Sequence, residues 1–322
     1  MTNETWLITG GAGYIGSHIA DEFLASGKEV VIYDILHQGL EARIEHLRKK
    51  YKRDIPLVLG DIRDQDAFIE TLKKYKPYGL VHTAALKAVG ESMEKPDEYF
   101  EVNLHATTKM LEILKFCKIH HFIFSSTAAV YGAPTDTNPI KEQDEKNPIS
   151  PYGASKLAAE KEVEKFLSIP GNYGTSLRFF NVVGTKSPAL MDNSVANLVP
   201  IVINKLKNAQ APEIYGTDYP TPDGTCIRDY VDVRDIARAH LAVANSTEVL
   251  PLAMNVGTGR GRSVREVIQL VGAASGHFDV VVEEKDRRMG DSASLCAEVS
   301  LIRNTIGLIA KYSLEESVES LF

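Results

Sequence analysis

The chain of 322 residues is poor in cysteine: Cys117, Cys226 and Cys296 stand far apart and in no CxxC spacing. That excludes a disulfide framework and a thiolate zinc site, and it fits a reducing compartment, so a cytoplasmic protein is expected. No uncharged apolar run approaches ~18 residues, and the amino terminus lacks a basic stretch leading into a cleavable apolar one. Neither export nor a membrane partner is therefore expected. A basic field is missing as well: 36 Lys and Arg are scattered among 43 Asp and Glu, for a net charge of -7, which argues against nucleic acid as a partner. Internal repeats, charge blocks and low-complexity tracts are absent, so neither an array nor a flexible tail is indicated. The signatures GxSxG, HExxH and GxxxxGK[ST] do not occur. His120-His121 opens a predicted strand without a third ligand, and no metal site is assigned.

What is present is an ordinary globular composition, 44% hydrophobic and 25% charged, with enough chain for one large core or two joined ones. The first half alternates short apolar, β-branched runs with helical periodicity, the pattern of a parallel sheet covered by helices on both faces. Strands are predicted at Thr5 to Thr9, Glu29 to Asp34, Pro56 to Gly60, Gly79 to Thr83, His121 to Ser126 and Gly174 to Phe180. Helices are predicted near Tyr14 to Ser26, Asp64 to Lys76, Pro96 to Lys118 and Gly153 to Ser168. Beyond about Asn181, stretches rich in Pro, Gly and Asp such as Tyr219 to Gly224 separate shorter elements. The expected fold is α/β: a doubly wound parallel sheet over residues 1–180 and a smaller mixed α/β lobe over 181–322, some of whose segments return to the first domain.

Directly after the first strand, Gly10, Gly13 and Gly16 frame Gly-Gly-Ala-Gly-Tyr14-Ile15-Gly and open an amphipathic helix. Glycines there permit a tight turn and close backbone approach to a pyrophosphate, which meets the positive end of the helix. Asp34 ends the second strand, 34 - 16 = 18 residues past the last glycine, where a carboxylate accepts from a ribose diol and repels a 2'-phosphate. Ile35-Leu36-His37 supplies no arginine, so NAD is favoured over NADP; the alternative is that Asp34 merely ends a strand. Asp61, with Ile62 in Gly60-Asp61-Ile62-Arg63, faces either an adenine amine or only its own turn.

Tyr152 and Lys156 are four residues apart, one turn apart on the same face of a predicted helix. At ~4 Å and an effective dielectric of ~20, an ammonium stabilises a phenolate by on the order of 4 kcal/mol, about three pKa units, enough to bring a phenol near neutrality. The pairing alone is common among exposed helix residues. Here it follows Ser125-Ser126-Thr127, hydroxyls at the carboxyl end of the fifth strand, where doubly wound sheets bind ligands. Thr127 is placed to share a proton with Tyr152 and a substrate hydroxyl; the alternative is a Ser/Thr-rich turn without catalytic function.

These four features together resemble the extended short-chain dehydrogenase/reductase family, which has a Rossmann-type fold, and further segments are similar to its UDP-glucose 4-epimerase branch. The similarity spans almost the whole chain: TGGAGYIGSH from Thr9, GDIR from Gly60, LKAVGES from Leu86, FSSTAAVYG from Phe124, SPYGASK from Ser150 and YPTPDGTCIRDY from Tyr219. The resemblance implies that Arg228 and Arg288 bind a nucleotide diphosphate and Asp291 a ribose. It implies that Asn181, Asn197, Leu198, Tyr215 and Leu295 line the sugar nucleotide, and that Lys87, Asn103, Tyr14, Ile15 and Ile62 bind the cofactor along with the glycine loop, Asp34, Asp61, Tyr152 and Lys156. Surface ion pairing is the alternative for Arg228 and Arg288, solvation on a helix surface for Lys87 and a polar helix face for Asn103. The implied activity is inversion of C4 of a UDP-sugar through a transient 4-keto form, with Tyr152 as base and NAD retained between turnovers, in a homodimer joined through the helices of Asn103 and Lys156.

Some positions depart from the branch: Thr83 stands where an aromatic is usual, Phe179 and Val182 replace the Tyr and Pro of Tyr-Phe-Asn-Pro, and Ile35 replaces an asparagine. Leu295 is intermediate in volume between the tyrosine of hexose-restricted relatives and the smaller residue of those taking N-acetylhexosamines, so hexose, N-acetylhexosamine and pentose stay open. Two other functions are weighed. A 4,6-dehydratase or related lyase needs an acid and a base after the catalytic hydroxyl, where Ala128-Ala129 stand. A non-catalytic NAD-binding regulator has no use for Thr127, Tyr152 and Lys156. The loop Gly257 to Ser263 reads as a turn in the small lobe rather than a second phosphate site.

Overall fold

In the computed structural model, residues 4–37, 40–134, 137–194, 197–288 and 290–322 are described. The apolar runs form parallel strands β1 (Thr5–Thr9), β2 (Glu29–Asp34), β3 (Leu57–Leu59), β4 (Gly79–His82), β5 (His121–Thr127) and β6 (Tyr173–Phe179). The remaining strands are β7 (Asn181–Val183), β8 (Glu213–Tyr215), β9 (Ile227–Asp232), β10 (Ala253–Val256), β11 (Gly261–Ser263), β12 (Glu283–Lys285) and β13 (Ser294–Leu295). The central sheet has the order β10-β6-β5-β4-β1-β2-β3, every pair parallel. The chain runs outward from β1 to β3 and returns on the other side as β4, so the topological switch point lies between β1 and β4.

Side chains alternate across a strand and both faces of this sheet are covered, which is why Trp6, Leu7 and Ile8 in the middle of β1 are all apolar. Trp6 and Ile8 enter one core with Ile19, Phe23, Ile236 and Val243, where the helices Tyr14–Ala25 and Val233–Asn245 pack. Leu7 enters the opposite core with Tyr33, Phe68, Leu114, Phe122, Phe124 and Phe166. Beyond β6, the chain builds a second sheet, β11-β9-β13 with β7 also paired to β9, and a β12-β8 ladder. A third cluster including Val202, Ile214, Tyr230, Val267, Val271 and Val318 fills that lobe. β10 leaves it and closes the edge of the central sheet beside β6.

The expected helix over Pro96 to Lys118 is in three pieces: Pro96–Phe100, a π-helical turn Glu101–His105, and Ala106–Cys117. Two further helices, Glu41–Tyr51 and Val89–Glu94, were not foreseen. In the first only Arg43, Ile44 and Leu47 are buried, so its sequence carries almost no apolar stripe. Among the described residues no helix is long and apolar enough to cross a membrane.

Candidate active site

The residues singled out as cofactor-binding gather at the carboxyl ends of β1 to β5. Gly10 has φ +68°, and a Cβ there would meet the backbone nitrogen of Ala84 at 2.6 Å, so only glycine lets the turn after β1 pass so close to the end of β4. Gly13 caps the Tyr14–Ala25 helix without a side-chain hydrogen bond, and no carboxylate stands in its first turn. The first N–H groups of that helix are thus left for an anion. Asp34 is buried, and its two carboxylate oxygens accept from Ala12 N at 3.0 Å and Leu36 N at 2.9 Å. Each retains acceptor capacity for a diol. An uncapped helix end beside a buried carboxylate fits a dinucleotide.

Arg43 escaped the sequence reading. Its buried guanidinium donates to Ala12 O in the glycine loop at 3.2 Å and to Met191 O at 2.5 Å, tying that loop to the segment after β7. Tyr14 makes a second tie, donating to Gly184 O at 2.5 Å. It borders a cavity of about 260 Å³ with Val182, Met191, Asp192 and Ser194. Ile15, partly buried, packs with the core under the loop, and Ile62 joins the opposite core. Asp61 has a role of its own: Arg63 grips its carboxylate at 2.6 Å and holds it below the usual range. Lys87 reaches the other lobe, with Nζ 3.3 Å from Ser194 Oγ and 3.9 Å from Asp192. Thr83, the departure from the family pattern, donates to Thr9 O at 2.7 Å and ties β4 to β1.

The helix Pro151–Leu167 starts where it does because Ser150 accepts from Gly153 N at 3.1 Å and Pro151 occupies the first turn. A Cβ on Gly153 would lie 2.5 Å from Ala129 O, so glycine brings the helix start against the turn that follows β5. This contact brings the start of the Tyr152 helix against the turn that begins at Thr127. Burial pushes the Tyr152 phenol up, and the Thr127 hydroxyl opposes the shift. Lys156 is 3% exposed, with Nζ 4.1 Å from the centre of the Phe124 ring. Burial lowers it from 10.5 to about 7, against a raising effect of Glu160. Desolvation thus works against the full ammonium charge that the Tyr152–Lys156 spacing requires.

Asn103 sits in the π-helical turn, fully buried. Its Oδ1 accepts from Leu86 N at 2.9 Å, and its Nδ2 donates to Leu86 O at 3.0 Å and Ser155 Oγ at 3.2 Å. It therefore fixes the segment carrying Lys87 against the residue preceding Lys156.

Of the residues expected to hold the sugar nucleotide, Arg228 lies on β9 and Asp291, Leu295 and Asn181 pair with that strand, whereas Arg288, Tyr215, Asn197 and Leu198 lie off it. Arg228 Nη1 donates to Ile227 O and Ser292 O, both at 2.9 Å, and Nη2 to Asp291 Oδ1 at 3.2 Å, so two residues assigned to one nucleotide pair with each other. Leu295 is the register partner of Arg228 on β13. Arg288 stacks on the Tyr215 ring at 3.7 Å. Gly290 packs on Ile149, just before the Tyr152 helix, which brings the arginine segment to the catalytic element. Asn181 on β7 is the partner of Tyr230 on β9. Asn197 caps the helix Leu198–Lys207 and donates to Asp192 Oδ2 at 2.6 Å, with Leu198 packed on the small-lobe core.

The DGT and RDY segments, residues 223–225 and 228–230, have a folding role in the structure. Asp223 accepts from Thr225 N and Oγ1 and from Ser263 Oγ. The buried carboxylate of Asp229 accepts from Thr258 N, Thr258 Oγ1, Gly259 N and Ala297 N. The glycine-rich turn after β10 thus wraps an anion of the protein itself. His121 stacks between Tyr78 and Tyr173, with ring centroids 4.3 and 5.1 Å away.

The model of the NAD dependent epimerase/dehydratase family matches residues 6–257. The UDP-glucose 4-epimerase of Streptomyces lividans is 37% identical over 306 residues, covering 94% of this chain and 90% of the relative. The UDP-glucose-4-epimerase of Stenotrophomonas maltophila, solved with NAD and formylated UDP-arabinopyranose, superposes with a TM-score of 0.92 at 31% identity, covering 99% of this chain and 96% of that one. That of Bifidobacterium longum, in complex with NAD+ and UDP, gives 0.89 at 34% identity and covers 98% and 96%. Full-length agreement in sequence and fold, together with a helix end and carboxylate that fit a dinucleotide beside a Thr-Tyr-Lys cluster, makes this chain a member of the NAD dependent epimerase/dehydratase family, on its UDP-glucose 4-epimerase branch.

Proposed function

We propose that the protein is an NAD-dependent isomerase that inverts C4 of a UDP-sugar, UDP-glucose and UDP-galactose first among the candidates. The observation that carries this reading is the placing of Tyr152, at the start of the helix Pro151–Leu167, against the turn that follows β5 and Thr127, with Lys156 one turn along the same helix. Bound NAD supplies a hydride acceptor and, in the second half-reaction, a donor. The glycine loop and Asp34 hold it, and the ties through Arg43 and Tyr14 favour its retention between turnovers. Thr127 orients the sugar 4-hydroxyl, and Tyr152 removes its proton as hydride leaves C4. Lys156, when protonated, stabilises the phenolate. Arg228 and Arg288 grip the diphosphate while the 4-keto sugar turns over, and Tyr152 returns the proton when the opposite face is reduced. Ala128 and Ala129 offer no acid or base for elimination, which disfavours the lyase. We also propose a homodimer through the helices Ala106–Cys117 and Pro151–Leu167; Phe116 on the first is 81% exposed.

The test is incubation of purified protein with UDP-galactose, UDP-N-acetylgalactosamine and a UDP-pentose, without added nucleotide, followed by separation of the epimers. Turnover of the hexose pair, lost in Tyr152→Phe with NAD still bound, is the expected outcome. Near-normal activity in Tyr152→Phe rejects the assigned base.

A further inference from the structure

Beyond Lys156 the same helix face carries a third ionisable side chain that the chemistry above does not use. Glu160 is 6% exposed, one turn past Lys156. Arg178 on β6 holds it as a fork, with Nη2 to Oε2 at 2.6 Å and Nε to Oε1 at 3.0 Å, and Ser126 donates to Oε1 from β5. Arg178 is itself fixed, its Nη1 donating to Tyr131 Oη at 2.8 Å and Glu142 O at 3.1 Å, while Tyr131 donates to Asn255 Oδ1 at 2.7 Å. Helical side chains lean toward the amino terminus, so Glu160 leans over the turn of Lys156.

We propose that Glu160 is a positioning residue for the catalytic pair: locked by Arg178 and Ser126, its carboxylate is the counter-charge that keeps the Lys156 ammonium in place for Tyr152. This rests on the reading of Tyr152 as base. An ion pair serving only to neutralise Arg178 has no need of a carboxylate one turn from the lysine, nor of a hydroxyl from the strand that ends in Thr127. The other charged or titratable groups around the pair are few. Lys146 and Glu142 flank Arg178. His82, which senses Lys156, is held neutral, its pKa pushed down to about 3 by burial between Thr9 and Thr107. Burial strips Lys156 of solvent, and Glu160 is the acid that opposes the loss of its proton.

The test is the pH dependence of kcat for UDP-galactose in the holoenzyme. Turnover requires Lys156 protonated, so the alkaline limb in Glu160→Gln should fall by about 1.7 pH units, for a charge at roughly 7 Å in a dielectric of about 20, Arg178 being present in both proteins. Glu160→Asp should lie between the variant and wild type. Because the single substitution leaves Arg178 buried and unpaired, Glu160→Gln/Arg178→Met removes both charges together and should show a smaller fall in the same direction, the loss of the more distant Arg178 cation offsetting part of the loss of the carboxylate. An unchanged limb in any of these proteins that folds and retains NAD, whatever its kcat, overturns the inference. Activity in Tyr152→Phe would instead overturn the underlying reading, so the two failures are separable.

Discussion

Arg228→Ala tests whether the β9 arginine is a substrate ligand or only a strut for the 291–292 segment. The guanidinium has five N–H donors, and three hydrogen bonds, to Ile227 O, Ser292 O and Asp291 Oδ1, leave two for a diphosphate. The side chain is 13% exposed, so its charge is poorly screened. A charge-assisted hydrogen bond contributes ~1.5–3 kcal/mol. Two of them, counted conservatively as about 3 kcal/mol together, correspond to a rise in KM of roughly 100-fold at ~1.4 kcal/mol per decade. Because this grip is the same in ground and transition state, kcat should change little. Arg228→Lys keeps the charge and loses the fork, so it should fall between, at about tenfold. The assay is initial rates over UDP-galactose concentration, with NAD content measured on the same preparation. A KM within threefold of wild type in Arg228→Ala, with NAD fully retained, refutes the assignment and leaves the arginine as a strut.

Two further outcomes are expected. Lys156→Met should abolish turnover yet raise Tm by a few degrees at pH 6. The folded lysine titrates near 7 and the unfolded one near 10.5, so between these values the unfolded chain binds more protons and wild-type stability climbs with pH. The gap between the two proteins should therefore narrow from pH 6 to 9, and a gap that does not narrow removes the buried-lysine penalty. Asp229→Asn places an amide among four donors and should cost about 3 kcal/mol, several degrees of Tm; an unchanged melting curve shows that the glycine-rich turn does not depend on that carboxylate.

Where the chemistry is local, the sequence carries it. β1 and β2 run over the residues expected, because an apolar run closed by a glycine turn or an acidic end leaves few alternatives. The Tyr152–Lys156 spacing needs only helical geometry. What is not legible is set at a distance. The π-helical turn that directs Asn103 at Leu86 leaves no mark on a period of 3.6. Arg43 reads as a surface charge in a polar helix until Met191 O, 148 residues away, is seen against it. The partners of Asp229 lie 29 to 68 residues along the chain, so the RDY segment advertised its arginine and hid its aspartate. Burial also altered the electrostatics: the spacing gives the distance between phenol and amine, while their desolvation follows from Phe124 and the surrounding fold.

The seventh strand of the central sheet has a consequence for biosynthesis. β10 is contributed by residues 253–256, so a nascent chain that has released only its first two hundred residues presents Ser176–Phe179, the part of β6 that β10 pairs, as an open hydrogen-bonding edge. The nucleotide domain thus waits on translation of the lobe that follows it. A ribosome stalled between the two would expose a templating border rather than a finished half-enzyme, and quality control would meet an aggregation hazard at that stage.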